Sequence, residues 1–167
     1  MSRSLRIAVI LAGLALGTTV SAVAQTDTDT FNVSTNVSKN CSITTSPVAF
    51  GVYDPVVANA TTPLDATGAV IVTCTKGAGT RINLNNGSNA TGGNRRMSAG
   101  GGNFLTYQLY QDSGRTTTWG SGASAGQTVS GAPSKAPRTF TVFGRVPAGQ
   151  DVPAGSYTDT VVATIQF

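Results

Sequence analysis

Beyond its first two dozen residues, the chain alternates apolar and polar side chains with a period of two, in short segments separated by clusters of Gly, Pro, Asn and Ser. That pattern constrains the fold more than any other feature, because successive side chains of a strand point to opposite faces of a sheet. Val70, Val72 and Cys74 share one face of the run from residue 69 to 75, and Ile82 and Leu84 share a face just beyond it. Leu105, Tyr107 and Leu109 repeat the pattern over residues 103–111, and residues 138–146 are β-branched and aromatic. A last strand is expected over residues 156–167. Asn and Gly clusters over 85–94 read as a long turn region, and residues 147–155 as a turn-rich connection. Many short strands with Gly/Pro turns, and no helical periodicity, predict an all-β sandwich of one domain.

The opening residues follow different rules. Arg3 and Arg6 precede an uncharged, mostly apolar run over residues 7–17, and Ala22-Val23-Ala24 offers a small-x-small cleavage site. Residues 1–24 are therefore expected to be an export signal, too short to span a bilayer as a helix, and no stable membrane insertion is expected after its removal. Export makes a disulfide the default state of the two cysteines, Cys41 and Cys74. A redox pair is the alternative, and it lacks both a C-x-x-C spacing and any His.

Composition removes most chemistry. The chain contains no His and no Glu, which excludes Ser-His and Cys-His nucleophile schemes. A metal site would rest on scattered Asp residues, none of which forms a calcium-loop pattern, so neither a metal nor any other cofactor is expected. Paired carboxylates for glycoside hydrolysis have nothing in the pattern to favour them, and no catalytic residue is assigned. Arg95-Arg96 is too short a basic run for a nucleic-acid partner, and the glycine clusters lack the phosphate-loop pattern.

The two ends of the exported part carry pattern without chemistry. Phe31, Val33, Thr35 and Val37 alternate with Asn32, Ser34, Asn36 and Ser38, giving an arm over residues 25–40 with one apolar edge outside the cysteine loop. Val161, Ala163, Ile165 and Phe167 form an apolar row in the last strand, with no downstream segment expected to cover its edge. Pattern alone leaves open whether the arm completes its own domain or a neighbour's.

A set of motifs now points to a family. They are Asn40-Cys41-Ser42, Phe50-Gly51-Val52-Tyr53-Asp54-Pro55, Leu64-Asp65-Ala66-Thr67-Gly68 and Val72-Thr73-Cys74-Thr75-Lys76-Gly77. Leu105 to Tyr110 with Trp119-Gly120, Phe143 to Ala148 and Gly155 to Thr160 follow in order. Together they resemble the spore coat protein U-like domain, the subunit domain of archaic chaperone–usher pili. The resemblance implies an incomplete immunoglobulin-like β-sandwich over residues 41–167, completed by donor-strand exchange, with Cys41–Cys74 as its structural bridge. It implies Phe31, Val33, Thr35 and Val37 as donor strand, Thr35 being less apolar than an inward position expects. Val161, Ala163, Ile165 and Phe167 are then a wall of the groove that receives a chaperone or a donor strand. Implied partners are other pilus subunits in a homo- or hetero-polymer, a periplasmic chaperone and an outer-membrane usher, with the product at the cell surface. The alternatives are a self-complemented monomeric module that binds carbohydrate or matrix, with Tyr53, Tyr110 and Trp119 as a stacking platform, or a spore or cell coat protein.

Overall fold

A computed structural model describes residues 21–122, 126–129 and 131–167. The charged and apolar parts of the expected export signal fall on residues outside that set. Two units emerge, divided after Thr35. In the first, residues 21–35 belong to no strand and are exposed throughout.

The second unit, Asn36–Phe167, contains only strands among its regular elements, within the described residues. They are β1 (Cys41–Ser46), β2 (Leu64–Cys74), β3 (Thr80–Leu84), β4 (Arg95–Gly100), β5 (Asn103–Tyr110), β6 (Gln127–Val129), β7 (Arg138–Val146) and β8 (Ala163–Gln166). A five-stranded sheet has the order β1-β2-β7-β5-β4, and a three-stranded sheet has the order β6-β3-β8. Every pairing is antiparallel. The result is an immunoglobulin-like β-sandwich.

The alternation read from the sequence decides which faces meet. Val70, Val72 and Cys74 of β2, Ile82 and Leu84 of β3, Leu105, Tyr107 and Leu109 of β5, and Val142 and Val146 of β7 are all buried in one core. Trp119 is fully buried with them, its indole Nε1 donating to the Ile82 carbonyl at 2.9 Å. It is therefore no part of an exposed stacking platform. Tyr53 is half-buried and its hydroxyl is engaged, donating to the Pro147 carbonyl and accepting from the Gln150 amide.

Register also gives the domain two poles. Cys41 pairs with Cys74, and Val72 with Arg138, at one pole, while Leu64 pairs with Val146 at the other. Cys41 and Cys74 are joined by a disulfide that ties β1 to β2 at the first pole.

Three expectations need correction. The strand β4 lies just after the turn region, where the sequence showed only an arginine pair. Arg95 is 2% exposed, and its guanidinium donates to the Leu84, Asn85 and Trp119 carbonyls and to Gln108 Oε1. The last strand is shorter than expected, Ala163–Gln166, because residues 156–162 pair only intermittently and on one side. The turn region is also less free than its composition suggests, since Asp159 Oδ1 accepts from the Ser88 and Asn89 amides.

Candidate functional site: an open trough between two unpaired edges

The sequence of residues 47–53 places Val48 and Phe50 on one face, and both turn inward against the core. They reach it because β2 and β7 present glycine beneath them. A Cβ on Gly68 would lie 2.7 Å from the Ser46 carbonyl oxygen and 2.7 Å from Val48 Cγ2. A Cβ on Gly144 would lie 2.7 Å from both Phe50 Cζ and Val48 Cγ1. Gly51, at φ 78°, then breaks the alternation, so that Val52 points outward instead of following Phe50 into the core.

This segment lies on the sandwich without pairing to it. Among the described residues, the backbone of 47–53 makes no hydrogen bond.

Across from it runs the stretch leading into β8. Ser98 and Thr158 exchange two backbone hydrogen bonds, and the Thr160 and Val162 carbonyls accept from the Ser88 and Asn85 amides. Those bonds use the even-numbered residues. Backbone groups of successive residues in an extended chain point to opposite sides. Tyr157, Asp159 and Val161 therefore turn theirs the other way, and these make no backbone bond among the described residues. Two unpaired edges thus face one another.

The space between them is a trough with two connected chambers. A chamber of about 430 Å³ is lined by Val48, Phe50, Val70, Leu109, Val142 and Val161, among others. A second, of about 730 Å³, is lined by Val48, Phe50, Met97, Leu105, Val152 and Tyr157, among others. Val48, Phe50, Met97 and Tyr157 border both. β1 and β8 are in contact but do not pair.

A polar knot fixes one wall. The Tyr107 hydroxyl donates to Asp159 Oδ2 at 2.6 Å, and both residues line the first chamber. Burial holds the Tyr107 phenol far above its usual range, reinforced by that hydrogen bond, so it stays a neutral donor. Burial also lowers Arg95 from the usual arginine value, opposed by Tyr107 and Asp159. The trough therefore offers alternating apolar contacts and backbone partners.

The expected groove residues divide. Val161 and Ala163 line the first chamber. Ile165 packs against the core beyond it, and Phe167 is 53% exposed. In the arm, Phe31, Val33 and Val37 are 87%, 86% and 80% exposed. Sequence reasoning missed Val48, Phe50, Met97 and Tyr157 as lining residues. The inward pair Val48 and Phe50 was legible as a short alternation after Pro47, but it follows β1 too closely to be separated from it.

Among the described residues, no three His, Cys, Asp or Glu side chains gather as a metal site. No helix there is long and apolar enough to cross a membrane.

Comparison with known proteins agrees with this architecture. The model of the Spore Coat Protein U domain matches residues 27–164. Protein U of Myxococcus xanthus is 37% identical over 174 residues, covering 96% of this chain and 96% of that protein. Among solved structures, the fold is similar to one in the chaperone–tip adhesion subunit pre-assembly complex CsuC–CsuE, from archaic chaperone–usher Csu pili of Acinetobacter baumannii. The TM-score is 0.56 at 23% identity, covering 78% of this chain and 40% of that one.

Proposed function

The chain belongs to the Spore Coat Protein U domain family, and from that premise we propose that it is a structural subunit of an extracellular chaperone–usher fibre. It polymerises by inserting its N-terminal strand into the trough of a neighbouring subunit. The observation that carries this reading is the apolar trough flanked by two edges whose backbone groups lack partners. An extended segment with alternating apolar side chains fills such a space in both respects. Its side chains enter the chambers, and its amides and carbonyls bond to both walls. The arm has that alternation at Phe31, Val33, Thr35 and Val37. Burying its three apolar side chains contributes roughly 4–8 kcal/mol before ordering costs.

On this reading the groove walls are Tyr157, Val161 and Ala163 on one side and Val48 and Phe50 on the other, and Ile165 supports the first wall from the core. A periplasmic chaperone occupies the trough before assembly, an outer-membrane usher exchanges it for the arm, and the product is a surface fimbrium. The protein acts by binding and has no catalytic role. The coat reading uses the same fold and differs in its biological setting.

The test is deletion of residues 31–37 in a cell that exports the chain. The variant should accumulate as a soluble chaperone complex without fibres. A synthetic peptide of residues 26–39 should bind that variant, and Val33→Asp in the peptide should abolish binding. Normal fibres from the deletion variant, or a stable monomer that ignores the peptide, would refute the proposal.

A further inference from the structure

One loop at the second pole is built to expose apolar side chains. Asp54 Oδ1 accepts from the Val56 and Val57 amides at 2.9 and 3.1 Å, and the Asp54 carbonyl accepts from the Asn59 amide at 2.7 Å. Asn59 is buried, accepts from the Asp54 amide through Oδ1, and donates through Nδ2 to the Thr62 carbonyl. The Gly149 amide donates to the Asn59 carbonyl, anchoring the loop to the chain after β7. This clamp turns Val56 and Val57 outward, 81% and 77% exposed, beside Val52 at 86%. A loop fixed by this many hydrogen bonds holds its valines in water at a cost, and an exposed apolar cluster on a rigid support marks a contact surface.

Polarity identifies what covers it. The arm leaves the domain at the first pole, where Asn40 and Thr75 hydrogen bond beside the disulfide. The trough runs from Thr45 and its partner Val70, midway along β2, to Tyr53 and Val152 at the other pole. A donor entering from the first pole would place its body where the acceptor's own arm must depart. Entry from the second pole leaves every arm free, and the copies then stack head to tail in an open, non-closing chain.

Charge agrees with that direction. The first pole carries Lys39, Lys76 and Lys135, all exposed, together with Arg138, and none of the Asp side chains in residues 36–167 lies there. The second pole carries Asp54 and the exposed Asp151. Its nearest arginines are engaged within the fold: Arg145 and Arg115 by Asp65, and Arg96 over the Phe104 ring.

We infer that the clamped loop bearing Val52, Val56 and Val57 is a second, body-to-body contact between copies, docking on the basic first pole of the subunit that donates its arm. The inference rests on the polymer reading and adds a surface to it. The arm supplies the attachment, and the loop fixes the angle between consecutive domains.

A zero-length carbodiimide reagent, which joins ammonium groups to carboxylates in contact, tests it on fibres sheared from cells exporting the full chain. Cross-linked peptides should join Lys39, Lys76 or Lys135 of one copy to Asp151 or Asp54 of the next. Asp151→Lys should reduce that yield several-fold, and adding Lys76→Asp to the same chain should restore fibre geometry in electron micrographs. Val56→Ser with Val57→Ser should loosen the angle between subunits while leaving binding of the residue 26–39 peptide unchanged. Intact fibres and peptide binding with no pole-to-pole cross-link and an unaltered angle would overturn this contact alone. Absence of both fibres and peptide binding would overturn it together with the polymer reading.

Discussion

Two glycines determine the shape of the trough, although nothing in composition distinguishes them from the other eighteen. Gly68 and Gly144 lie in paired strands, where glycine ordinarily weakens a sheet and alanine is preferred. Here the missing Cβ is what lets residues 46–50 cross the sheet face closely enough to bring Val48 and Phe50 to the core. The expected effect of Gly68→Ala is therefore opposite in sign to that of an ordinary strand position. The new methyl meets the Ser46 carbonyl oxygen and the Pro47 backbone, which cannot rotate away as a side-chain tip would. The variant should lose about 1–3 kcal/mol in urea denaturation. A more stable variant would show that the segment moves aside freely. Such positions are illegible in sequence because the partner of the glycine is distant in the chain.

At the scale of elements, the strands with full alternation were readable and the unpaired ones were not. Residues 138–146 were expected as a strand and are β7, and the run ending in Cys74 is the inner half of β2. β4 escaped because its inward residue is Arg95, a cation that pattern reading assigns to the surface. Four carbonyl and amide oxygens make its burial tolerable, and they come from three separate parts of the chain. β1 is an edge strand paired on one side, so its attachment depends on the disulfide more than that of any interior strand. The bridge closes a sequence separation of 33 residues. Replacing both Cys41 and Cys74 with Ser should destabilise the domain by about 3.5–4 kcal/mol in the chain-entropy model. The check is the urea midpoint of the oxidised protein against the double variant. An equal midpoint would show that β1 holds without its covalent tie.

For the whole molecule, the carboxylates predict how stability follows pH. Asp65 lies below its usual value of 3.8, mainly because Arg145 hydrogen bonds to it. Backbone amides lower Asp54 and Asp112 in the same direction, those of Val56 and Val57 for the first and of Thr116 and Thr117 for the second. A carboxylate with a depressed folded-state value contributes stability above its unfolded value and loses it as pH falls through the folded one. The domain should therefore be stable near neutrality and weaken progressively below about pH 4. Urea midpoints measured between neutrality and about pH 2.5 at constant salt should show the decline, and Asp65→Asn should flatten part of it. A midpoint that rises on acidification would contradict these assignments. With no histidine in the chain, no side chain of ordinary pKa titrates between about pH 5 and 8, so a flat response is expected there.

The sequence by itself determined the period-two alternation, and with it the all-β class and the faces that form the core, and through its lack of His it excluded histidine-based nucleophile schemes. Those properties follow from each residue and its near neighbours. Only the tertiary structure decided that the edges at 47–53 and 157–161 face each other across an open trough, and that the valine loop and the lysines lie at opposite poles. Whether a backbone group is paired, or a cavity filled, depends on segments about a hundred residues apart coming together, and local pattern carries no record of that distance.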